Sequence, residues 1–359
     1  MDQNYWKNLP LVDSHLDLAE NETLFNRDLT KSTIETRKLE KRSSRQATVS
    51  LPDLKRGGIS IVFATVTPGF LAEDVGGNFE PRSAIYHTQV EAEVQALSQI
   101  ALYESWENQG LVRLIKSVND LENHLMLWKT DRTPGLVMLM EGADPIVHVS
   151  DLQQWWKYGL RMIGLTFGDT HYGTGVTGGS PTFKKGGLTA DGFALLGKMA
   201  GLGFIWDISH LAEDGIWQGL SLNYPRVCAS HANVQALTPS NRHLSDNVIR
   251  AIADHNGVIG LTLYNGFLEP KWKKDKTISV TLQEHLLRHA TYVANLVGWN
   301  HIGIGSDLDG GFGLEESPME IDSVADLYKV GFVIPAGFRE AVLSTNWISF
   351  LRRSLPFTS

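Results

Sequence analysis

The sequence has almost no cysteine: Cys228 is the only one among 359 residues. An intramolecular disulfide is therefore impossible, and thiolates cannot dominate a metal site. A chain without disulfides fits a reducing compartment, so we expect a cytoplasmic protein. We assign Cys228 to packing and give it no chemical role.

Long apolar runs and clustered positive charges are missing as well. No run of about 18 apolar residues occurs, and residues 1–7 lack the apolar stretch of a signal peptide, so we expect no membrane partner. The formal net charge is −8, and the lysine pairs at 184–185 and 273–274 are isolated, so we expect no nucleic-acid partner. With 42% hydrophobic and 20% charged residues, the composition is typical of a globular protein.

Eight short apolar segments recur along the chain, and helical sequence separates most of them. They lie near residues 11, 60, 137, 162, 204, 227, 257 and 301. Alternating strands and helices predict a parallel sheet in an α/β fold. Eight such units predict one (β/α)8 TIM-type barrel domain spanning residues 1–359, with its site at the C-terminal strand ends. A doubly wound open sheet is the alternative.

The remaining segments divide into helices and one long polar stretch. Apolar residues at helical spacing, or the position of a segment between two predicted strands, predict helices over 81–108, 118–128, 150–159, 190–202 and 281–297. Residues 19–58 are polar and irregular, which predicts a long loop covering one mouth of the molecule, with disorder as the alternative.

Metal-ligand side chains occur where several of these strands end. His15 and Asp17 lie two residues apart in a strand, so both side chains point to the same face. A solvated strand end is the alternative for this pair alone. The full set is His15, Asp17, Glu141, His210, His231 and Asp307. Three imidazoles and three carboxylates at one mouth suit zinc, and two ions sharing a carboxylate would use them better than one.

The segments that carry these residues resemble those of a known family. They are DSHLDL at 13–18, MEG at 140–142, DISH at 207–210, ASHAN at 229–233, NRHLSD at 241–246, GIGSDLDGG at 303–311 and STNWISFLRR at 344–353. In this order, and from about residue 11 to 351, the sequence resembles the membrane dipeptidase (renal dipeptidase) family of zinc metallopeptidases.

The resemblance implies a zinc dipeptidase built on a (β/α)8 barrel. Such an enzyme hydrolyses free dipeptides, including those with a D-residue at the C-terminal position, through a hydroxide bridging two zinc ions. By resemblance, His15 and Asp17 would bind the first zinc, and His210 and His231 the second. Glu141 would bridge the two ions and take part in catalysis. Relatives are commonly dimers, so we expect a homodimer.

The resemblance also implies roles for two further residues. Arg242 would bind the C-terminal carboxylate of the substrate, a bidentate pairing that suits a guanidinium. From the sequence alone, the alternative for Arg242 is a loop salt bridge with Asp246. Asp307 would orient the attacking water and carry its proton to the leaving nitrogen.

The sequence departs from the family pattern after the fourth strand. Renal-type members have a histidine directly after Leu-Thr, where it helps to hold the oxygen of the scissile carbonyl. Here Leu165-Thr166 is followed by Phe167, and the nearest histidine is His171. His171 is therefore a substrate-binding candidate, with a simple loop residue as the alternative. His243 stands where many relatives have asparagine, and we expect a supporting or surface role.

Two other functions stay open, the first of them because of this departure. A binuclear metal hydrolase on the same scaffold could act on another amide, a lactone or an ester, since fold and metal chemistry do not fix the substrate. A catalytically silent binding protein is the third interpretation, and the complete set of ligand candidates argues against it.

Overall fold

The computed structural model of the protein describes residues 8–23, 25–41, 44–69, 86–178, 185–274 and 278–358. Within these ranges the strands are β1 (Leu11–Leu16), β2 (Ile59–Val66), β3 (Arg113–Leu114), β4 (Gly135–Glu141), β5 (Met162–Gly164), β6 (Ile205–Asp207), β7 (Val227–Cys228), β8 (Ile259–Leu261) and β9 (Ile302–Ile304).

Helices follow most of these strands. In the same ranges they are α1 (Leu18–Thr23), α2 (Thr33–Glu40), α3 (Leu51–Gly57), α4 (Gln89–Asn108), α5 (Val118–Asp131), α6 (Leu152–Lys157), α7 (Ala190–Leu202), α8 (Glu213–Leu220), α9 (Asp246–Asp254), α10 (Asn265–Leu268), α11 (Leu287–Val297), α12 (Val330–Val333) and α13 (Asn346–Ser354). Short 3₁₀ or π turns precede several of them.

The strands form a curled parallel sheet whose carboxyl ends share one edge. The strand order is β1-β2-β4-β5-β6-β7, with the short β3 paired to β4, and β8 pairs with β9 in a second sheet. One parallel bridge, between Ala229 and Ile259, joins the end of β7 to β8. The amide of Asp307 donates to the carbonyl of His15 at 3.2 Å, so the segment after β9 lies beside β1.

Side chains of β4 alternate between two buried clusters, as the pleat of a strand requires. Val137 and Leu139 pack in one cluster with Trp347 of α13. Leu136 and Met138 pack in the other cluster, against the helices. Glu141 continues the series of Val137 and Leu139, so the alternation places its carboxylate on their face at the carboxyl end of the sheet.

The polar segment 19–58, expected to be a long loop, contains three helices instead. Helix α2 begins with a capping box, in which the hydroxyl of Ser32 accepts from the Glu35 amide and the Glu35 carboxylate accepts from the Ser32 amide. The segment is also fastened to the mouth of the molecule. The amides of Thr48 and Val49 donate to the carboxylate of Asp309 at 2.8 and 2.9 Å.

The helix expected over 190–202 is present with those bounds as α7. Residues 81–85 of the helix expected over 81–108 lie outside the described residues, and α4 begins at Gln89. Strand β3 was not predicted, because two residues are too few to show a periodic pattern. None of the helices in the described ranges has the length and apolar character needed to cross a membrane.

Candidate metal centre

Three imidazoles converge on one carboxylate oxygen at the carboxyl edge of the sheet. Glu141 Oε1 lies 3.4 Å from His15 Nε2, 3.2 Å from His210 Nε2 and 3.5 Å from His231 Nε2. The Nε2 atoms of His210 and His231 are themselves 2.9 Å apart. Three ring nitrogens from β1 and from the segments after β6 and β7 therefore meet at the end of β4.

The opposite nitrogen of each ring points away from this cluster. His210 Nδ1 lies 2.8 Å from the carbonyl oxygen of Val176. His15 Nδ1 and His231 Nδ1 lie 3.1 and 2.9 Å from the hydroxyl of Ser230. A carbonyl can only accept a hydrogen bond, so His210 carries its proton on Nδ1 and presents the Nε2 lone pair to the cluster.

Two further carboxylates complete the cluster. Asp17 Oδ1 lies 3.7 Å from His15 Nε2 and accepts a hydrogen bond from the hydroxyl of Thr65. Asp307 Oδ1 lies 4.0 Å from His15 Nε2. Asp307 and His210 both have a positive φ, 61° and 64°, which is uncommon for residues with a side chain and indicates local strain at this edge.

The ligand atoms fall into overlapping groups of metal-binding size. In each group the atoms lie within 4.8 Å of one another, and the groups are His15–Asp17–Glu141, Glu141–His210–His231 and His15–His231–Asp307. The first two share Glu141. The sequence-derived ligand sets for two metals are therefore the same residues that the fold brings together.

The electrostatics of the cluster call for a positive charge. Burial raises the pKa of Glu141 to about 8, and burial with repulsion from Glu141 raises that of Asp17 to about 8. Burial, with repulsion from Asp17 and Glu141, also holds the pKa of Asp307 well above its usual range. Because buried carboxylates that crowd together resist ionisation, a divalent cation would stabilise their charged forms.

The residues present fit such a cation. His15 Nε2 and Glu141 Oε1 are fully buried and have no hydrogen-bond partner among the described residues. Burial also lowers the pKa values of His15, His210 and His231, which keeps the imidazoles neutral, as metal ligands must be. Nitrogen and oxygen donors in this number suit zinc and similar divalent ions.

Arg242 lies buried beside the cluster. Its Nη2 donates to the carbonyl of His231 at 2.8 Å, whereas Nε and Nη1 have no hydrogen-bond partner within the described part of the chain. Asp246, the alternative partner considered from the sequence, instead accepts from the hydroxyl of Tyr292 at 3.0 Å. A buried guanidinium with unpaired donors provides a site for an anionic group.

His171 is not part of the cluster. Its Nε2 lies 2.6 Å from Asp191 Oδ2, and 45% of its side chain is exposed. The backbone amide of His171 donates to Asp144. The segment after β5 contacts the cluster through the ring of Phe167, which packs against His210, and through the carbonyl of Val176. The fold therefore favours the loop-residue alternative for His171.

Sequence reasoning gave no site role to Ser230, and it left two other buried residues without a specific place. His243 is buried, its ring nitrogens have no partner among the described residues, and its ring packs edge-on against Phe267. Asp207 supports the neighbouring segments by accepting hydrogen bonds from Ser209 and Ser230. Ser230 follows from the sequence only as the residue before His231.

Glu20, one turn after Asp17, was also missed. It is buried in α1, and its pKa is raised well above the usual range by burial and by repulsion from Asp17 and Glu141. It therefore adds a further buried carboxyl group near the cluster. A Glu in a polar stretch gave no sequence signal that would distinguish it from a solvated residue.

The ligand cluster is that of a metal-dependent enzyme, and comparison with known proteins identifies the family. The sequence model of the membrane dipeptidase family (peptidase family M19) matches residues 2–330. The chain therefore belongs to the membrane dipeptidase family.

Individual relatives lie at moderate distance. An uncharacterized protein from the pqqA 5′ region of Klebsiella pneumoniae is 32% identical over 253 residues, which cover 68% of this chain and 89% of that protein. The crystal structure of a metallopeptidase from Rhodobacter sphaeroides, bound to a phosphinate mimic of the dipeptide L-Ala-D-Ala, is 25% identical with a TM-score of 0.77. That alignment covers 97% of this chain and 99% of the other.

A second solved structure shows the same fold at lower identity. It is the M19 metallopeptidase called dipeptidase AC, with a TM-score of 0.78 and 24% identity. The alignment covers 97% of this chain and 99% of that chain.

Proposed function

We propose that the protein is a dipeptidase that uses two divalent metal ions to hydrolyse free dipeptides. Zn²⁺ is the ion that best suits the nitrogen and oxygen donors present. The observation that carries this proposal is the pair of ligand groups, His15–Asp17–Glu141 and Glu141–His210–His231, joined at Glu141. One ion would be held by each group, with Glu141 shared. The M19 family and its dipeptide-mimic complex support the same substrate class.

The bound metals would supply Lewis-acid polarisation of the scissile carbonyl and an activated water near neutral pH. The chain itself supplies the proton transfers. Asp307, within 4.0 Å of His15 Nε2, takes a proton from the attacking water and returns it to the leaving nitrogen as the C–N bond breaks.

Arg242 would select substrates with a free C-terminal carboxylate. Its buried Nε and Nη1 donors lack partners, and its position is fixed by the bond from Nη2 to the His231 carbonyl. Because Arg242 contacts the His231 carbonyl, a carboxylate bound there would lie beside the ligand cluster. The site would thus favour a free dipeptide over a longer peptide. We also propose that it accepts dipeptides with a D-residue at the C-terminal position.

We also propose the barrel closure, the compartment and the oligomeric state that the sequence led us to expect. We infer a closed (β/α)8 barrel, supported by the Ala229–Ile259 bridge and by the Asp307–His15 backbone bond at the two gaps in the ladder. A cytoplasmic homodimer remains our expectation.

A second candidate is a binuclear hydrolase of another amide, a lactone or an ester. The observation that favours it is Phe167, which places an aromatic ring against His210 where renal-type relatives have a hydrogen-bond donor. Without that donor, oxyanion stabilisation would depend on the metals, and the best substrate could carry a better leaving group than an amide.

A hydrolysis screen of the zinc-reconstituted protein tests both. It compares L-X-L-Y and L-X-D-Y dipeptides with N-acyl amino acids, lactones and esters. Cleavage of free dipeptides, lost with the matching dipeptide amides, is the result expected for the first function. Zinc binding with turnover of only lactones or esters would replace it with the second.

A further inference from the structure

The hydroxyl of Ser230 lies between two of the three clustered histidines. Ser230 Oγ is 3.1 Å from His15 Nδ1 and 2.9 Å from His231 Nδ1. On its third side it lies 2.5 Å from Asp207 Oδ2. The Ser230 side chain therefore contacts the imidazole of His15 on β1, the imidazole of His231 and the carboxylate of Asp207 on β6.

The direction of these hydrogen bonds follows from the inventory of protons. A serine hydroxyl has one proton to donate and two lone pairs to accept. A carboxylate is a stronger acceptor than a neutral imidazole, so the hydroxyl donates to Asp207 at the shorter distance. Both lone pairs then accept, one from His15 Nδ1–H and one from His231 Nδ1–H.

These hydrogen bonds also determine which nitrogen of each ring faces the ligand cluster. A proton on Nδ1 leaves the lone pair on Nε2, and Nε2 of each ring lies 3.4 or 3.5 Å from Glu141 Oε1. His15 and His231 belong to different ligand groups that share Glu141. A single hydroxyl thus sets the tautomer for both groups.

The position of Ser230 is itself fixed by its surroundings. The residue is fully buried, and its carbonyl accepts from the hydroxyl of Ser14 in β1 at 2.6 Å. A Cβ at Gly305 would lie 1.9 Å from the same carbonyl, so the backbones pack together without room for a side chain. The backbone amide of Ser230 also donates to Asp207 Oδ1 at 2.8 Å. The hydroxyl is therefore held by backbone contacts with three strand segments.

We propose that Ser230 is a shared positioning residue, whose one hydroxyl orients the imidazoles of His15 and His231 and fixes both in the Nδ1–H tautomer for two metal sites. The metal part of this inference rests on the proposed function. The tautomer part does not, because it concerns the hydrogen bonds of the chain itself.

Long-range ¹H–¹⁵N NMR of the metal-free protein tests the tautomers directly. The expected result is Nδ1–H for His15 and His210 in the wild type. In Ser230→Ala, His15 should gain the Nε2–H form. His231 does not serve for this readout, because its Nε2 lies 2.9 Å from His210 Nε2 and a proton is shared between them when no metal is bound. His210 is an internal reference, because the carbonyl of Val176 fixes its tautomer independently of Ser230. Nε2–H at His15 in the wild type would overturn the proposal, whether or not the variant folds.

Zinc titration gives the second readout. Removing a hydrogen-bond partner of a ligating histidine usually weakens metal affinity about 10–100-fold, so Ser230→Ala should raise the Kd of both sites by that factor. Ser60→Ala is the matched control, since it removes a buried hydroxyl 3.1 Å from His124 Nε2, a histidine outside the cluster. Equal affinities in the two variants would overturn the proposal. A wild type that binds no zinc would instead refute the proposed function, and the NMR result would still decide the role of Ser230.

Discussion

The aromatic ring of Phe167 packs against the imidazole of His210, with ring centroids 4.4 Å apart and ring planes at 34°. The contact brings an apolar ring to the edge of the ligand cluster, at the position where the sequence departs from its renal-type relatives. In the proposed dipeptidase, this position would decide whether a side chain can assist the metals in holding the carbonyl oxygen.

Phe167→His should increase the turnover of ordinary dipeptides. The new imidazole can keep the ring contact with His210 while adding an N–H donor. Because one oxyanion donor is worth about 10²–10³ in kcat in other hydrolases, we expect kcat to rise at least about tenfold. Phe167→Leu is the control, since it lacks both ring and donor. An equal or smaller kcat in Phe167→His than in wild type would contradict this role.

His171→Ala should leave catalysis nearly unchanged. The ring is half-exposed and contacts Asp191, and it lies outside the ligand cluster. Steady-state kinetics should therefore give the wild-type kcat/KM, and Asp191→Asn should behave in the same way. A large loss in His171→Ala without a matching loss in Asp191→Asn would show that His171 reaches the substrate.

Arg242→Ala should raise the KM for free dipeptides far more than it changes kcat. A charge-assisted hydrogen bond is worth about 1.5–3 kcal/mol, so KM should rise roughly 10–150-fold. Dipeptide amides, which lack the carboxylate, should show little change. Arg161→Lys is a control for altering a buried arginine, because Arg161 donates to the main-chain carbonyls of Lys116 and Trp156. Equal effects on dipeptides and amides would exclude carboxylate recognition.

Zinc binding should release protons, and the release should fall as pH rises. Asp17 and Glu141 have pKa values of about 8 in the metal-free site, so both are largely protonated at neutral pH and must ionise to bind a cation. We expect net proton release near neutral pH, and the release should fall as the pH rises through about 8. The three histidines are neutral throughout and add none, because burial lowers their pKa values.

Calorimetry in buffers of different ionisation enthalpy measures this release. The apparent affinity for zinc should rise with pH over the same range, since fewer protons compete with the metal. Asp17→Asn removes one titrating group and should reduce the release near neutral pH. Proton release that is absent, or that does not change with pH, would contradict the described electrostatics.

Strand-end chemistry could be predicted because it depends on simple periodicity. The carboxyl ends of parallel strands share one edge, so His15, Glu141, His231 and Asp307 could be placed together without coordinates. Helix α7 was predicted with correct bounds, since its apolar spacing and flanking residues are regular.

Other features depend on contacts between distant segments. The helices in segment 19–58 are short and polar, and the tie from Thr48 to Asp309 spans 261 residues. The orientation of His171 is set by Asp191 on α7, and Ser230 meets His15 across 215 residues. Such contacts leave no local pattern in the chain, so sequence reasoning could not assign them.

Anomalous scattering from crystals of the zinc-reconstituted protein, recorded at the zinc edge, would locate the metals relative to the ligand cluster. A site for two metals should give two peaks about 3.5–4 Å apart on either side of the Glu141 carboxylate. One peak should lie beside His15 and Asp17, and the other beside His210 and His231. A single peak, or zinc bound away from Glu141, would contradict the binuclear site.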